Sequence, residues 1–211
     1  MIVAIDGPSA AGKGTLAKRL AHHFGLAHLD SGGLYRAVGL KLLRAGQDPV
    51  DEALALAAAQ ALRPEELSEP ALREEATGKA ASIVAAMGPV RQALLDFQRA
   101  FARTPPGGKT GAVIDGRDIG TVVCPDAEVK LFVTASDEVR ARRRSEELQA
   151  RGEIAIYARV LKDMRERDAR DSQRSVAPLV AAEDAFVLDT SDLDADEVFA
   201  AALEKINQKI G

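Results

Sequence analysis

The chain has 211 residues, 46% hydrophobic and 28% charged, with a single cysteine, Cys124, and a net charge of −4. This composition excludes disorder, an intrachain disulfide and a multi-cysteine zinc site, and the negative charge argues against general nucleic-acid binding. No apolar run reaches the roughly 18 residues of a membrane helix and the first residues do not resemble a signal peptide, so we expect a cytoplasmic protein.

The charge is unevenly distributed along the chain. Residues 140–174 contain 11 Lys and Arg against 7 Asp and Glu, a net charge of +4, so the other residues together have −8. One arginine-rich segment in an acidic protein favours a small polyanionic ligand over a long nucleic acid. The alternative is a solvated helix with internal salt bridges, and charge alone favours that alternative.

Short runs rich in valine and isoleucine alternate with helical stretches. The strands predicted in chain order are 2–6, 27–30, 112–115, 129–134 and 186–189. The helices predicted between them are 13–24, 33–45, 51–61, about 71–86, 90–103, 137–150, 154–172 and 194–210. Because the apolar runs show no polar alternation, we expect strands buried on both faces of a parallel sheet, in an α/β fold with right-handed crossovers. Ser136 is a candidate cap for the sixth helix.

Two intervals are longer than a plain crossover requires. Residues 31–110 have helical character throughout, whereas about a dozen residues suffice to join parallel strands. We therefore predict a helical insertion at 31–110, with a return linker near 105–108, and a second excursion at 146–174. The core then consists of 1–30, 111–145 and 175–211. The part at 51–80 lacks paired strand signals and is expected to be helical.

A glycine-rich segment follows the first predicted strand and opens a helix. Its residues are Gly7, Pro8, Ser9, Ala10, Ala11, Gly12, Lys13, Gly14 and Thr15. In this context glycines turn backbone N–H groups onto phosphate oxygens, and the lysine neutralises the β- and γ-phosphates of ATP. Gly14 replaces the usual hydroxyl ligand of Mg²⁺, so the ion is expected to be held mainly by phosphates and water, without a direct protein ligand. The alternative is a strand-to-helix turn without a ligand, which this combination of residues disfavours.

Three further segments narrow the interpretation. They are 30–36 (DSGGLYR), 115–123 (DGRDIGTVV) and 167–171 (RDARD). Together with GKGT at 12–15, their order and spacing from residue 2 to about 188 resemble the bacterial cytidylate kinase family of nucleoside monophosphate kinases. The resemblance implies a three-layer P-loop NTP hydrolase fold with a five-stranded parallel sheet, a helical NMP-binding insertion and a short lid. It also implies ATP-dependent phosphorylation of CMP and dCMP.

The acceptor is expected at the carboxyl ends of the strands. Ser31 and Arg36 follow the second predicted strand and Arg117 follows the third. Alone, Ser31 is more typical of a helix cap and Arg36 of a surface charge, but their shared location favours binding of the acceptor phosphate by Arg36 and Arg117. The resemblance further implies that Ser82, Arg91 and Asp118 contact the base.

Four charged residues recur at helical spacing within the basic segment. Arg167, Arg170, Asp171 and Arg174 share one helix face. The alternative to ligand binding is internal pairing of Asp171 with Arg167 and Arg174. By resemblance this segment is the lid, with Arg167 and Asp171 on the acceptor sugar and Arg170 and Arg174 on phosphates.

The expected chemistry is in-line phosphoryl transfer, with Lys13, Arg117, Arg170 and Arg174 stabilising the transferred charge. Because the acceptor is itself a phosphate, no general base is needed. Asp6 and Asp115 at strand ends could orient water around Mg²⁺. The three histidines, His22, His23 and His28, are interpreted as structural.

The expected partners are ATP, CMP and dCMP, without nucleic acid or membrane, and the chain is expected to be a monomer. Two alternatives remain open. One is a P-loop kinase of another metabolite, such as shikimate or dephospho-coenzyme A. The other is a nucleotide-gated switch, which would usually carry an Asn-Lys-x-Asp motif.

Overall fold

The computed structural model describes residues 1–210, and a five-stranded parallel sheet lies at its centre. The strands are β1 (Ile2–Asp6), β2 (Ala27–Asp30), β3 (Ala112–Gly116), β4 (Val129–Thr134) and β5 (Phe186–Asp189). Their order across the sheet is β2-β3-β1-β4-β5, and every neighbouring pair is parallel. The predicted α/β fold with a five-stranded parallel sheet is confirmed. All carboxyl ends of the strands therefore meet at one edge, where ligands of such sheets bind.

Eight α-helices surround and extend this sheet over the described residues. They are α1 (Lys13–Phe24), α2 (Ser31–Arg44), α3 (Glu52–Gln60), α4 (Glu75–Val84), α5 (Gly88–Arg103), α6 (Asp137–Ala150), α7 (Tyr157–Gln173) and α8 (Ala195–Ile210). On one face of the sheet, α1 and α8 pack through leucine, valine and alanine side chains. On the other face, α5 and a π-helical turn at Ile119–Val123 cover β1 and β3. The molecule thus has three layers.

The prediction that all strands are buried on both faces is wrong for β5. This strand lies at the edge of the sheet, and its residues alternate between half-buried and exposed, with Val187 64% exposed. A four-residue apolar run does not distinguish a central strand from an edge strand that has one covered face.

Residues 31–110 contain α2 to α5 and short 3₁₀ turns at Pro64–Ser68 and Pro70–Arg73, with no strand between β2 and β3. These helices share a separate apolar core that includes Leu34, Val38 and Leu94. Helices α2 and α4 approach closely at Gly39. A Cβ added there would lie only 2.9 Å from the Cβ of Ala80. The predicted helical character of 51–80 is confirmed.

Local boundaries differ from prediction where proline or capping residues intervene. The helix predicted over about 71–86 begins only at Glu75, because Pro64 and Pro70 start separate 3₁₀ turns. Ser136 caps α6 as predicted, accepting from the backbone of Val139. Ser31 does not cap α2: the Asp30 side chain does, and Ser31 is its first residue. Over residues 1–210, no helix combines the length and apolar character that crossing a bilayer requires.

Candidate active site

The loop between β1 and α1 has a backbone shaped for an anion. Gly7, Ala10 and Gly12 have positive φ angles of 143°, 57° and 94°. A Cβ at Gly7 would lie 1.9 Å from the backbone oxygen of Val133, so only glycine fits there. Gly12 precedes α1 without a side-chain cap, so the first N–H groups of the helix have no side-chain acceptor and can bind an anion.

Lys13 projects from the first turn of α1 into this loop. Its side chain is buried, and Nζ donates to the backbone oxygen of Pro8 at 2.5 Å. Burial, followed by the charge of Arg117, lowers the pKa of Lys13 to about 7. The hydroxyl of Ser9 is also buried and has no hydrogen-bond partner. A buried amine beside an unpaired hydroxyl donor is suited to a polyanion, which would favour the charged form of the lysine and accept from both groups.

Asp6 at the end of β1 is held by the backbone of the π-helical turn. Its two carboxylate oxygens accept from the N–H groups of Ile119 and Gly120, both at 2.8 Å. Burial raises the pKa of Asp6 to about 6, although these hydrogen bonds oppose the shift. The carboxylate anchors the π-helical turn and does not line the cleft beside the phosphate loop. A role of Asp6 in orienting water around a metal ion stays a prediction.

Asp115 at the end of β3 does line the cleft. Its Oδ1 lies 2.8 Å from Nε2 of His28 on β2, and its backbone oxygen accepts from Ser31 Oγ at 2.8 Å. Ser31 is thus a bridge between the ends of neighbouring strands. In this structure its hydroxyl contacts protein and not a ligand.

The three residues implied to contact the base lie on three different elements and converge in the cleft. Ser82 comes from α4, Arg91 from α5 and Asp118 from the loop after β3, and all three are buried. Arg91 forms an ion pair with Asp118, donates to the backbone of Ala85 at 3.0 Å and lies 5.4 Å from the ring centroid of Tyr35. Tyr35 and Asp118 belong to the sequence motifs at 30–36 and 115–123. Of the residues in this cluster, Ser82 and Arg91 lie outside any motif and had no local sequence signal.

Arg36 and Arg117 lie in the same cleft, and each is held by protein groups. Arg36 donates to the backbone oxygen of Leu72 at 2.8 Å, and burial lowers its pKa. The Arg117 Nε lies 2.9 Å from a carboxylate oxygen of Asp171. Burial alone would lower the pKa of Arg117, but Asp171 raises it above the usual value. The pKa of Arg117 is thus supported by a neighbouring carboxylate, whereas that of Arg36 is lowered by burial.

The charged face of α7 turns toward these groups. Burial, with Arg117 next, lowers the pKa of Arg167 to about 9, so it is protonated at neutral pH, and its Nε is buried without a partner. Arg170 donates to Ser82 Oγ at 3.2 Å. Arg174 is the C-cap residue of α7, and its buried Nη2 has no hydrogen-bond partner, although it lies 3.8 Å from a carboxylate oxygen of Asp118.

Of the two internal pairs considered as an alternative for this stripe, Arg174 with Asp171 is present as a long ion pair and Arg167 with Asp171 is not found in the described residues. Asp171 pairs at 2.9 Å with Arg117 from the β3 loop, whereas Arg174 approaches Asp171 only to 3.9 Å. No ion pair is found between Arg167 and Asp171 within residues 1–210. The helix therefore turns its excess positive charge into the cleft.

Arg140 on α6 is a residue that the sequence interpretation missed. It is 4% exposed and donates to the backbone of Ala135 at 3.0 Å and of Ser9 at 3.2 Å. It also pairs with Asp137 at 2.5 Å and with Asp168 at 2.6 Å. Arg140 thus links the phosphate loop to α7. Its position in an arginine-rich helix gave no signal, but the RDARD motif contains its partner Asp168.

The phosphate loop, the acceptor-side residues and the charged face of α7 line one cleft of about 1020 Å³. The proposed acceptor residues in its wall are Ser31, Arg36, Ser82, Arg91, Arg117, Asp118, Arg167, Asp171 and Arg174, with Arg170 beside them. From the phosphate loop, Ser9, Ala10, Gly12, Lys13, Gly14 and Thr15 line it, but Gly7, Pro8 and Ala11 do not. Those three shape the loop from behind, and Ala11 packs in the core. In the described part of the chain, no three His, Cys, Asp or Glu side chains cluster in a way that could hold a metal ion.

Comparison with known proteins agrees with this geometry. The family described as cytidylate kinase matches residues 3–208. A cytidylate kinase of Paramagnetospirillum magneticum is 66% identical over 208 residues, covering 99% of this chain and 98% of the relative. That of Rhodospirillum rubrum is 58% identical over 209 residues, with 99% and 98% covered.

Among solved structures, an uncharacterized protein from Eubacterium ventriosum has the same overall fold. Its TM-score is 0.58 at 15% identity, covering 99% of this chain and 98% of the other. The sequence relatives confirm the resemblance drawn from the motifs, and the three-layer P-loop fold that it implied. The chain belongs to the cytidylate kinase family.

Proposed function

We propose that this protein transfers the γ-phosphoryl group of ATP to CMP, giving ADP and CDP, and that it also accepts dCMP. The observation that carries the proposal is the convergence of the phosphate loop and the Ser82–Arg91–Asp118 cluster on one cleft. Its volume of about 1020 Å³ is at the upper end for small-molecule sites, as two nucleotides require. Family membership favours this activity over the other metabolite kinases and over a nucleotide-gated switch.

At the donor end, the phosphate loop would bind ATP through its backbone N–H groups, with Lys13 on the β- and γ-phosphates. The residues present fit a hydrated ion more than a protein-ligated one, since Gly14 supplies no hydroxyl and Asp115 is the carboxylate in the nearby wall. We therefore propose that Mg²⁺ is held by phosphates and water, with Asp115 and Thr15 within the surrounding wall. When bound, the ion neutralises phosphate charge.

At the acceptor end, hydrogen-bond matching would select cytosine. Asp118 accepts from the exocyclic amino group, while Arg91 and Ser82 donate to the ring acceptors. Uracil would place carbonyl lone pairs against the Asp118 carboxylate, which is buried. Sites that depend on such polar matching discriminate strongly, because the wrong base leaves a buried group unpaired.

Around the phosphates, Arg36 and Arg117 would hold the acceptor phosphate while Arg170 and Arg174 stabilise the charge on the transferred group. Arg167 and Asp171 would then meet the sugar. The buried nitrogens of Arg167 and Arg174 that lack a hydrogen-bond partner support this arrangement, because an anion could accept from them. The acceptor is already a phosphate, so the transfer needs positioning and charge stabilisation and no general base.

We further propose that residues 31–110 and 146–174 move as acceptor-binding and lid segments against the core. The contacts between Arg170 of α7 and Ser82 of α4 support coupled closure of the two. Closure would exclude water, which otherwise competes as phosphoryl acceptor. The acidic net charge supports action on small molecules and not on nucleic acid, and we propose a monomeric cytoplasmic enzyme.

A coupled assay that follows ADP release tests the activity, with CMP, dCMP, UMP, AMP and shikimate as acceptors. We expect CMP and dCMP to be used and UMP to be much slower. ADP release with CMP no faster than in buffer would overturn the proposal.

Asp118→Ala tests the proposed base contact. It should raise the KM for CMP by at least about 100-fold, as loss of a buried charged partner implies, while the Kd for ATP changes little. Asp126→Ala is the matched control, because Asp126 is an exposed carboxylate shortly after the same loop. Equal loss of CMP and ATP binding in Asp118→Ala would mean that the residue supports the fold.

A further inference from the structure

Asp115 is the acidic side chain nearest to the start of α1. It is 6% exposed, and its Oδ2 lies 4.0 Å from where a Cβ at Gly14 would stand. Its charge raises the pKa of Lys13 against the larger effect of burial, and it also raises that of Arg117. The carboxylate therefore shares the cleft with the lysine of the phosphate loop and an arginine of the acceptor side and acts on the charge of both.

Strand β2 holds this carboxylate from the side away from the cleft. In the parallel register Asp30 is opposite Asp115, so His28, two residues earlier, is on the same face of the sheet. The ring reaches diagonally and places Nε2 2.8 Å from Asp115 Oδ1. Ser31, which follows the strand, holds the backbone oxygen of Asp115 at the same distance. Both the carboxylate and the backbone of Asp115 are thus fixed by one short segment.

We propose that His28 is a positioning residue for phosphoryl transfer, acting through Asp115. Its Nε2–H donates to Oδ1 and leaves Oδ2 directed at the phosphate loop. Without this donor the carboxylate could rotate toward Lys13 or Arg117, which share its cleft, and form an ion pair that incoming phosphates must break. This inference rests on the proposed function, and it revises the interpretation of His28 as structural only.

Steady-state kinetics of three variants test the proposal. His28→Leu removes the donor, His28→Gln restores an amide N–H near the position of Nε2, and His28→Asn is too short to reach. We expect kcat to fall about 10- to 100-fold in the Leu and Asn variants, as for a small misplacement of a reacting group. The KM for CMP should change less than about twofold, since His28 does not line the cleft. His28→Gln should recover most of the lost kcat.

His23→Leu is the matched control. That histidine lies on α1 with its ring edge-on to Phe24 and Phe199, and its removal should leave kcat unchanged. If circular dichroism shows that His28→Leu is not folded, the comparison of His28→Gln with His28→Asn carries the test, because both of these side chains are polar amides. A kcat within twofold of wild type in the Leu or Asn variant, or a Gln variant no better than Asn, would overturn the proposal.

Nitrogen-15 NMR of the unliganded protein gives a readout that does not depend on turnover. We expect the His28 ring to carry its proton on Nε2, and Asp115→Asn to shift that resonance while those of His22 and His23 stay in place. A His28 ring protonated on Nδ1 alone would refute the hydrogen bond. Absence of CMP-dependent activity in the wild type would instead refute the proposed function, with the NMR result unaffected.

Discussion

Binding of ATP is expected to draw almost one proton from solution at pH 8, because Lys13 is largely uncharged in the unliganded protein. Burial lowers its pKa from 10.5 to about 7, so at pH 8 only about 9% of the side chains are protonated. Phosphates beside Nζ favour the charged form and would raise the pKa of Lys13 well above 8. The uptake is then about 0.9 proton at pH 8 and about 0.1 at pH 6, where most of the lysine is already charged.

Titration calorimetry measures this uptake directly. Binding of the magnesium complex of a non-hydrolysable ATP analogue is measured at pH 6 and pH 8, in buffers with different ionisation enthalpies. The slope of the apparent enthalpy against buffer enthalpy gives the number of protons. Asp6, with its pKa raised to about 6, is ionised at pH 8 before and after binding, so the measurement at pH 8 isolates Lys13.

The control is Lys13→Arg, in which the guanidinium group stays protonated and the uptake at pH 8 should fall to near zero. An uptake below about 0.3 proton in the wild type at pH 8 would refute the depressed pKa. The same uptake in Lys13→Arg would assign the proton to another group.

Three further predictions concern stability and the lid. Gly39→Ala should lower the free energy of unfolding by about 1 kcal/mol in urea denaturation, because the added Cβ overpacks against α4. Gly88→Ala is the control, because the nearest atom to its added Cβ is 3.8 Å away and the free energy of unfolding should not fall. Ser136→Ala should cost about 1 kcal/mol in the same measurement through loss of the α6 cap. Asp168→Asn weakens the link from α7 to Arg140, and kcat should fall about tenfold with the Kd for CMP nearly unchanged; an unchanged kcat would show that this link does not position the lid.

The fold could be predicted because its local signals are strong. Strand β1, the glycine-rich loop and α1 follow one another without interruption, and the boundaries of α1 and α6 were predicted to the residue. The failures arise where neighbours in space decide the outcome. Asp30 and Ser31 are both good helix caps in isolation, and only the position of Asp115 on β3 explains why the serine hydroxyl turns away.

The sequence predicted which residues form the site but not which of them pair with each other. Motifs and resemblance brought Arg117, Asp118 and Asp171 forward. They did not indicate that Asp171 would pair across to the β3 loop, since such a pair joins residues 54 positions apart. His28 and Arg140 lacked any local pattern, because a histidine in a strand or an arginine in a basic helix is ordinary in sequence.

The ion pairs of the acceptor side have a consequence for the design of inhibitors. Arg91 already pairs with Asp118, and Arg117 with Asp171, so a competing compound displaces the protein's own salt bridges as well as solvent. A purely hydrophobic fragment that separated these pairs would leave buried charges without a partner, which costs free energy. A compound that presents an anion and an amino group side by side to one of these pairs would give both of its separated partners a replacement, and such fragments should bind this cleft best.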